Sequence, residues 1–205
     1  MLRRSFLVLL TLLLLPSAAM ADIRHEVAGL TPLALHYGVN NLKVDGRDVL
    51  IIKGDFNTGN ASGGDAYSLL VHGDAGDGGG EWKMVRFASA SWNRMMLVTE
   101  PRTGEDSVMT ARFLVPGTLA DKAYAALYLL TAERAGRTET RQQKIPAQFT
   151  LYRLSRDDDF GIYSLQQVAT EKARQPTCNV DWALWRELKV PLPEADAAIY
   201  DCGMR

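Results

Sequence analysis

Short runs in which apolar and polar residues alternate recur along this chain, and they restrict it to an antiparallel β architecture. The clearest run is Val108–Val115. Four of its apolar residues fall at every second position: Met109, Ala111, Phe113 and Val115. Thr110 and Arg112 would point the other way, because successive side chains of a strand alternate between its two faces. We therefore expect one face of this strand to be core and the other to be solvated.

Six further runs are separated by clusters of Gly and Asp, a spacing typical of antiparallel β proteins. They are Asp48–Lys53, Tyr67–His72, Trp82–Phe87, Arg94–Thr99, Ala147–Leu154 and Ile162–Ala169. No linker or repeat divides them. The Gly- and Asp-rich residues 73–81 are expected to form a hairpin loop, because a phosphate-binding loop would precede a helix. The fold class predicted is an antiparallel β-sandwich in one domain.

The first 21 residues have the three parts of a secretory signal. Arg3 and Arg4 precede an uncharged apolar run from Phe6 to Leu15, and Ala19-Met20-Ala21 supplies a cleavage site. The run is shorter than the roughly 20 apolar residues that span a membrane, so a retained anchor is the minor alternative. The paired arginines also permit the twin-arginine route. We expect cleavage to leave residues 22–205 as a periplasmic domain outside the membrane.

Cys178 and Cys202 are the only cysteines of the chain. An even count in an exported protein favours one disulfide over a metal site, which would need more Cys or His at close spacing. The alternative is two buried free thiols. The bond would close a loop of about 25 residues and, on the chain-entropy model, stabilise the fold by roughly 3.5 kcal/mol.

A change of period near the C-terminus predicts a short amphipathic α-helix from Val180 to Lys189. Its apolar residues fall on one stripe: Val180, Ala183, Leu184 and Leu188. Asn179 is available as N-cap and Pro191 ends the helix. We expect Trp182 and Trp185 to fix the helix to the sheets, with a ligand platform as the alternative, and Glu187 to lie toward its rim.

The residues from Thr118 to Gly136 are ambiguous. Ala- and Leu-rich composition, an N-cap at Thr118 and a terminal Gly slightly favour a helix. The same residues also fit a central strand covered on both faces, with Tyr128 and Leu130 opposite Leu127 and Leu129.

Composition and motifs argue against several functions. The formal net charge is −1, whereas a nucleic-acid-binding protein usually gathers a basic excess on one face. The three histidines, His25, His36 and His72, lie in no catalytic motif, and Asp157–Asp159 fits a solvated turn. We expect no enzyme activity, although an exported hydrolase stays a third option.

Several short stretches together resemble the carbapenem intrinsic-resistance (CarG-like) family. In the N-terminal half they are Gly38–Gly46, Val49–Lys53, Asn60-Ala61 and Asp65–Ser68. In the C-terminal half they are Phe149–Leu154, Phe160–Tyr163, Cys178–Asp181 and Glu187-Leu188. The resemblance implies a periplasmic, non-enzymatic β-sandwich, usually dimeric, that protects a carbapenem-exposed cell. The fold of this family is also similar to that of bacterial inhibitors of invertebrate-type lysozyme.

The resemblance also bears on the ambiguous segment and on cofactors. It implies that Ala123–Glu133 is a strand. Some members bind a cation at an Asp- and Gly-rich run, but residues 41–48 here are shorter and contain Lys43 and Arg47. We therefore expect no cofactor and no metal. Members often have His after the Asn-Ala pair, where this chain has Ser62-Gly63-Gly64.

Two hypotheses about function follow. In the first, the protein binds a β-lactam or a periplasmic protein through Asn60, Asp65 and Tyr67 on an exposed sheet edge, although turn and strand packing would also explain these residues. In the second, Ser62–Tyr67 is a loop that blocks a lysozyme cleft. A blocker of paired carboxylates should offer a basic group, whereas this loop offers Asp65.

The disulfide gives the first prediction. Quantitative thiol labelling of the denatured, unreduced periplasmic protein should modify neither cysteine, because both are paired. Cys178→Ser should lower the free energy of unfolding by about 2–5 kcal/mol, the usual loss in a small secreted domain. Full labelling of both thiols in the wild-type protein would show that the bond is absent.

Overall fold

The computed structural model describes residues 22–57, 63–73, 80–88, 93–94, 96–99, 107–117, 123–136 and 143–191. Its helices are α1 (Ile23–Val27) and α2 (Val180–Leu188). Its strands are β1 (Leu30–Pro32), β2 (Gly38–Val44), β3 (Arg47–Asn57), β4 (Gly63–His72), β5 (Trp82–Met84), β6 (Arg86–Ala88), β7 (Asn93–Arg94), β8 (Leu97–Val98), β9 (Met109–Pro116), β10 (Ala123–Tyr124), β11 (Tyr128–Arg134), β12 (Ile145–Asp157) and β13 (Ile162–Thr177).

The strands form two sheets, which confirms the predicted β-sandwich with a short C-terminal helix. Sheet A has the order β1-β9-β11-β12-β13-β6-β7. Sheet B has the order β10-β2-β3-β4-β5, and β8 also pairs with β4. Neighbouring strands are antiparallel except for the short β10–β2 and β13–β6 pairs, which are parallel.

Sheet A is covered on both faces. One face packs against sheet B through residues such as Phe113, Leu129 and Leu165. The opposite face packs against α1 and α2 through Leu114, Leu130 and other apolar residues. The molecule therefore has three layers and two apolar cores, with sheet A in the middle.

The second core corrects the expectation that one face of β9 is solvated. Met109, Ala111, Phe113 and Val115 do share the face toward sheet B. On the opposite face, however, Thr110 is buried. Arg112 donates to the carboxylate of Asp181 in α2, with 2.6 Å between Nη2 and Oδ1. These polar residues therefore support a helix rather than contact bulk water.

The run Trp82–Phe87 is not one strand, because the chain passes from one sheet to the other at Val85. β5 pairs with β4 in sheet B, whereas β6 pairs with β13 in sheet A. Val85 is fully buried between them, and its N–H donates to the carbonyl of Leu69. The run Arg94–Thr99 is divided in the same way between β7 and β8.

The ambiguous segment is a strand where the structure describes it. β10 and β11 cover residues 123–124 and 128–134, and residues 118–122 lie outside the described chain. β11 pairs with β9 on one side and β12 on the other. Leu129 enters the core between the sheets and Leu130 the core beneath the helices. Pairing and burial on both faces outweigh the local preference for helix.

Helix α2 agrees with its prediction in extent and in its buried stripe. The side chain of Asn179 accepts hydrogen bonds from the N–H groups of Asp181 and Trp182, and Lys189 ends the helix in the left-handed conformation. Val180, Ala183, Leu184 and Leu188 are buried. Trp185, in contrast, is exposed and lies against Trp182, with 4.8 Å between ring centroids. The expectation that both tryptophans fix the helix was therefore wrong for Trp185.

Glu187 is not at the rim of the helix. Its carboxylate accepts from the N–H groups of Arg174 and Gln175, at 2.9 and 3.1 Å, and pairs with Arg24 and Arg186. Burial acts to raise the pKa of Glu187, but these hydrogen bonds and charges outweigh it, so the pKa lies below its usual value. One buried carboxylate thus ties α2 to the end of β13 and to α1.

Cys178 is fully buried between β13 and α2. Cys202 lies outside the described residues, so its disulfide with Cys178 stays a prediction. Within the described chain no helix is long and apolar enough to cross a membrane. Residues 1–21, which include the expected signal, are also outside the described chain.

Glu187→Gln should lower the free energy of unfolding by about 1–3 kcal/mol at neutral pH, because the substitution removes the carboxylate charge that pairs with Arg24 and Arg186 and one of the two oxygens that accept from the backbone. The depressed pKa gives the effect a pH window. The stabilisation is complete above the unfolded-state pKa of about 4.3 and is lost as pH falls through the folded-state pKa. Urea unfolding from neutral to acidic pH measures it, with the exposed Glu81→Gln as control, expected within about 0.5 kcal/mol. Equal effects of the two variants would contradict this role.

Candidate functional site

Of the three residues predicted for binding, the structure describes Asp65 and Tyr67, while Asn60 lies outside the described chain. Both described residues lie on the face of β4 that turns toward sheet A, two positions apart. They are not on an exposed sheet edge, because β4 pairs with β3 on one side and with β5 and β8 on the other. Tyr67 is buried, and its ring packs edge-on against Phe113.

Among the described residues, Tyr37, Lys53 and Tyr67 point side-chain donors at the carboxylate of Asp65. Its Oδ1 accepts from the Tyr37 hydroxyl at 2.9 Å, and its Oδ2 accepts from the Tyr67 hydroxyl at 3.1 Å. Lys53 Nζ lies 3.2 Å from Oδ2 and 4.7 Å from the Tyr37 ring centroid. Thr99 bonds the backbone of Asp65 in both directions. We call these five residues the Asp65 cluster.

Strand register brings Lys53 to this cluster. Lys53 on β3 is directly opposite Tyr67 on β4, and residues opposite each other in an antiparallel pair share a face. The buried residues Val49 and Ile51 precede Lys53 on that same face. The row of apolar side chains therefore ends in a lysine at one end of the sandwich.

A buried amide positions Tyr37. Asn40 Oδ1 accepts from the His36 N–H at 3.0 Å, and its Nδ2 donates to the carbonyls of His36 and Ile51. This fixes the chain just before β2 against β3 and sets Tyr37 over Lys53. Asn40 belongs to one of the stretches that carry the family resemblance.

The electrostatics of the cluster favour binding over proton transfer. Burial, reinforced by the charge of Asp65, raises the pKa of Tyr67 well above its usual value. A tyrosine so shifted stays protonated near neutral pH and is a poor general base. Tyr37 is more than half exposed. The cluster therefore offers solvent an aromatic ring over a lysine that is paired with a carboxylate.

A cleft of about 350 Å³ adjoins this segment, between the edge of sheet A at β1 and the edge of sheet B at β2 and β10. Its lining combines apolar and polar residues, among them Pro32, Leu33, Leu35, Val39, Thr31, Asn40 and Asn41. This volume is at the lower end of the range for small-molecule sites. The cleft shares His36 and Asn40 with the support of the Asp65 cluster.

Residues 41–48 stand where some members of the family bind a cation, and their charged side chains form ion pairs here. Lys43 Nζ lies 2.7 Å from Asp48 Oδ1, and Arg47 Nη1 lies 3.3 Å from Asp45 Oδ2. The hydrogen bond from Lys43 lowers the pKa of Asp48. In the described part of the chain no group of three or more His, Cys, Asp or Glu could hold a metal ion. The turn at Asp157 forms as expected, with its Oδ1 accepting from the N–H groups of Asp159 and Phe160.

The three histidines of the chain lie in different surroundings. His25 and His36 are exposed, and His72 packs edge-on against Trp82.

The comparison of Ser62–Tyr67 with an inhibitory loop was wrong for Gly63–Tyr67, because these residues belong to strand β4. The β3–β4 ladder continues to the pair Asn57 and Gly63, which holds this stretch in extended form. Ser62 lies outside the described chain.

Sequence reasoning missed Tyr37, Lys53 and Thr99. Lys53 had a signal, since it continues the every-second-residue pattern of Val49 and Ile51 with a charge at an inward position. Tyr37 and Thr99 had none, because their contacts with Asp65 depend on segments 28 and 34 residues away along the chain.

No protein-family model and no curated protein matches this sequence. A crystal structure of a protein named CarG is similar to this chain, with a TM-score of 0.57 and 20% sequence identity. The likeness covers 80% of this chain and 97% of that chain. The protein therefore has a CarG-like fold.

Asp65→Asn should destabilise the protein by about 1–3 kcal/mol, because the half-buried Lys53 loses its charged partner. It should also lower the pKa of Tyr67, since the charge of Asp65 contributes to the elevation. Urea unfolding and alkaline absorbance titration measure the two effects. Asp48→Asn removes an exposed ion-pair carboxylate and should be close to silent. An unchanged Tyr67 titration would show that the cluster is not electrostatically coupled.

Proposed function

We propose that this protein is a periplasmic binding protein of the carbapenem intrinsic-resistance type, which protects the cell by binding rather than by hydrolysis. The observation that carries the proposal is the CarG-like fold, which extends over nearly the whole length of the CarG chain. The stretches that resemble the family support it, because Asp65 and Tyr67 belong to the Asp65 cluster and Asn40 positions its Tyr37. The expected ligand is a β-lactam or another periplasmic protein.

The proposed binding region consists of the Asp65 cluster and the adjoining cleft. The cleft offers a ligand both apolar side chains and polar groups, such as Leu33 and Asn41. Tyr37 directly follows His36 of the cleft lining and supplies an exposed ring, and Lys53 Nζ lies 4.7 Å from the centroid of that ring. Neither group needs to act as a nucleophile or a base for this function.

The outer face of sheet B supports a protein partner or a homodimer, which the family resemblance implies. Val39 lies opposite Ile52, and Met84 lies opposite Leu70. Val39, Ile52, Met84 and also Trp82 are exposed apolar side chains. Contiguous exposed apolar residues of this kind usually mark interaction surfaces.

The alternative function is lysozyme inhibition. One observation favours it: the structure places Lys53 beside Asp65 and so supplies the basic group that the local sequence lacks. Because the pair with Asp65 offsets that charge, a cleft of paired carboxylates gains little from it. We therefore rank this function second.

A survival assay tests the proposal. Cells that express the wild-type protein should survive a carbapenem better than cells with an empty vector, and removal of residues 1–21 should abolish protection by retaining the protein in the cytoplasm. The double variant Tyr37→Ala with Val39→Asp should reduce protection while leaving the buried cores intact. Asp48→Asn is the matched surface control and should protect like the wild type.

The same purified protein is then tested with a chromogenic β-lactam and with invertebrate-type lysozyme. We expect turnover of neither the lactam nor any related ester, and no stoichiometric inhibition of the lysozyme. Turnover would overturn the binding proposal in favour of a hydrolase. Stoichiometric inhibition without carbapenem protection would select the second function.

A further inference from the structure

A second cavity lies at the opposite end of sheet B from the Asp65 cluster. Its volume is about 100 Å³, and Val49 and Val71 line it from sheet B. Val71 is six residues beyond Asp65 along β4, a separation of about 20 Å at the rise of a strand. The cavity is therefore distinct from the region proposed above for binding.

Three arginines, one aspartate and one tyrosine are among the residues that line this cavity. Arg156 on β12 and Tyr163 on β13 are opposite each other where the β12–β13 hairpin nears its turn, so their side chains share a face. Arg47 approaches from the start of β3 in sheet B. The guanidinium-bearing side chains of Arg47 and Arg156 are only 28% and 25% exposed. Three hydrogen-bond donors from the two sheets thus converge on a small space.

The hydroxyl of Tyr163 is the decisive feature. Tyr163 is only 3% exposed, and its hydroxyl has no hydrogen-bond partner within the described part of the chain. A buried polar group without a partner is costly, and such groups in native proteins usually have a specific explanation. An acceptor inside the cavity would supply the missing partner.

The charges around the cavity favour an anionic acceptor. Three arginines (Arg47, Arg153 and Arg156) and one carboxylate (Asp45) line it, so the lining carries a net positive charge. Asp45 pairs with Arg47 and Asp158 pairs with Arg156, and the side chains of these two acids are 79% and 88% exposed. Ion pairs of that kind contribute little, so an anion in the cavity can compete with Asp45 and Asp158 for these guanidinium groups. Arg153 also lines the cavity, but its guanidinium lies over the Tyr128 ring, 6.0 Å from the centroid.

We propose that this cavity binds a small oxyanion, held by the guanidinium groups of Arg47 and Arg156 and by the hydroxyl of Tyr163. Arginine binds phosphate and carboxylate oxygens through pairs of N–H donors. The size of the cavity limits the ligand to one such group, either as a free ion or as the anionic end of a larger molecule that projects outward.

Calorimetric titration of the mature protein with inorganic phosphate and, separately, with acetate tests the proposal and distinguishes a tetrahedral from a planar oxyanion. Sodium chloride at matched ionic strength is the control for general screening. We expect saturable one-to-one binding of at least one oxyanion and none of chloride. Absence of saturable binding of both oxyanions, or equal heats with chloride, would overturn the site.

Variants then locate the binding. Arg156→Gln should weaken it about tenfold or more, the usual effect of losing a charged hydrogen-bond donor, and Tyr163→Phe should weaken it several-fold while preserving the ring. Arg174→Gln, which removes an exposed charge near α2, should change the affinity less than twofold. Weakening by Arg174→Gln equal to that by Arg156→Gln would reduce the effect to net charge and overturn the proposal.

A measurement on the wild-type protein keeps the test valid if a variant does not fold. Phenylglyoxal modifies accessible guanidinium groups, and mass spectrometry reports the rate at each arginine. The bound oxyanion should slow modification of Arg47 and Arg156 and leave Arg174 unchanged. Unaltered rates at both cavity arginines would contradict binding there. This site is separate from the Asp65 cluster. A negative result in these experiments would therefore overturn the oxyanion site and would not bear on the proposed protective function.

Discussion

The double-sided burial of sheet A is the constraint on which the rest of this structure depends. β9, β11 and β12 send apolar side chains both toward sheet B and toward the helices. Each fully buried leucine or phenylalanine side chain stabilises the fold by about 1.5–3 kcal/mol relative to exposure to water. Both faces of sheet A carry many such side chains, so neither face can be exposed to solvent. Sheet B covers one face. The two helices, although short, are required because the other face needs a cover.

Polar contacts hold this cover in place. A nine-residue helix is marginal alone in water, so α2 depends on its buried stripe and on its ties to the sheet. Asp181 pairs with Arg112 in β9 near the first turn, and Glu187 accepts from the backbone at the end of β13 near the last. Arg24 extends the second tie to α1. Charged side chains near both ends of α2 thus fix the position of the helix on sheet A, which apolar packing alone does not determine.

How far the sequence could predict this arrangement depended on the range of the interactions. Alternation in Val108–Val115 and the stripe of α2 predicted the elements, because both patterns are local. The role of Arg112 was not predictable, since its partner Asp181 is 69 residues away, and the same holds for Glu187. At the candidate site, Asp65 and Tyr67 were identified from the resemblance, but their placement at a sheet edge was wrong. Lys53 reaches them only through strand register.

The passage of the chain through Val85 has a consequence for how the molecule assembles. β6 pairs in parallel with β13, and its residue Phe87 lies opposite Leu165, 78 positions later in the chain. Parallel pairs between distant segments form slowly, because the intervening loop must first be closed. Until the β12–β13 hairpin exists, β6 has no neighbour on that side, while β5, which ends two residues before β6 begins, can already join β4. The C-terminal β12–β13 hairpin therefore completes the pairing of β6. A chain that is synthesised from its N-terminus cannot form this pair until the hairpin has been made.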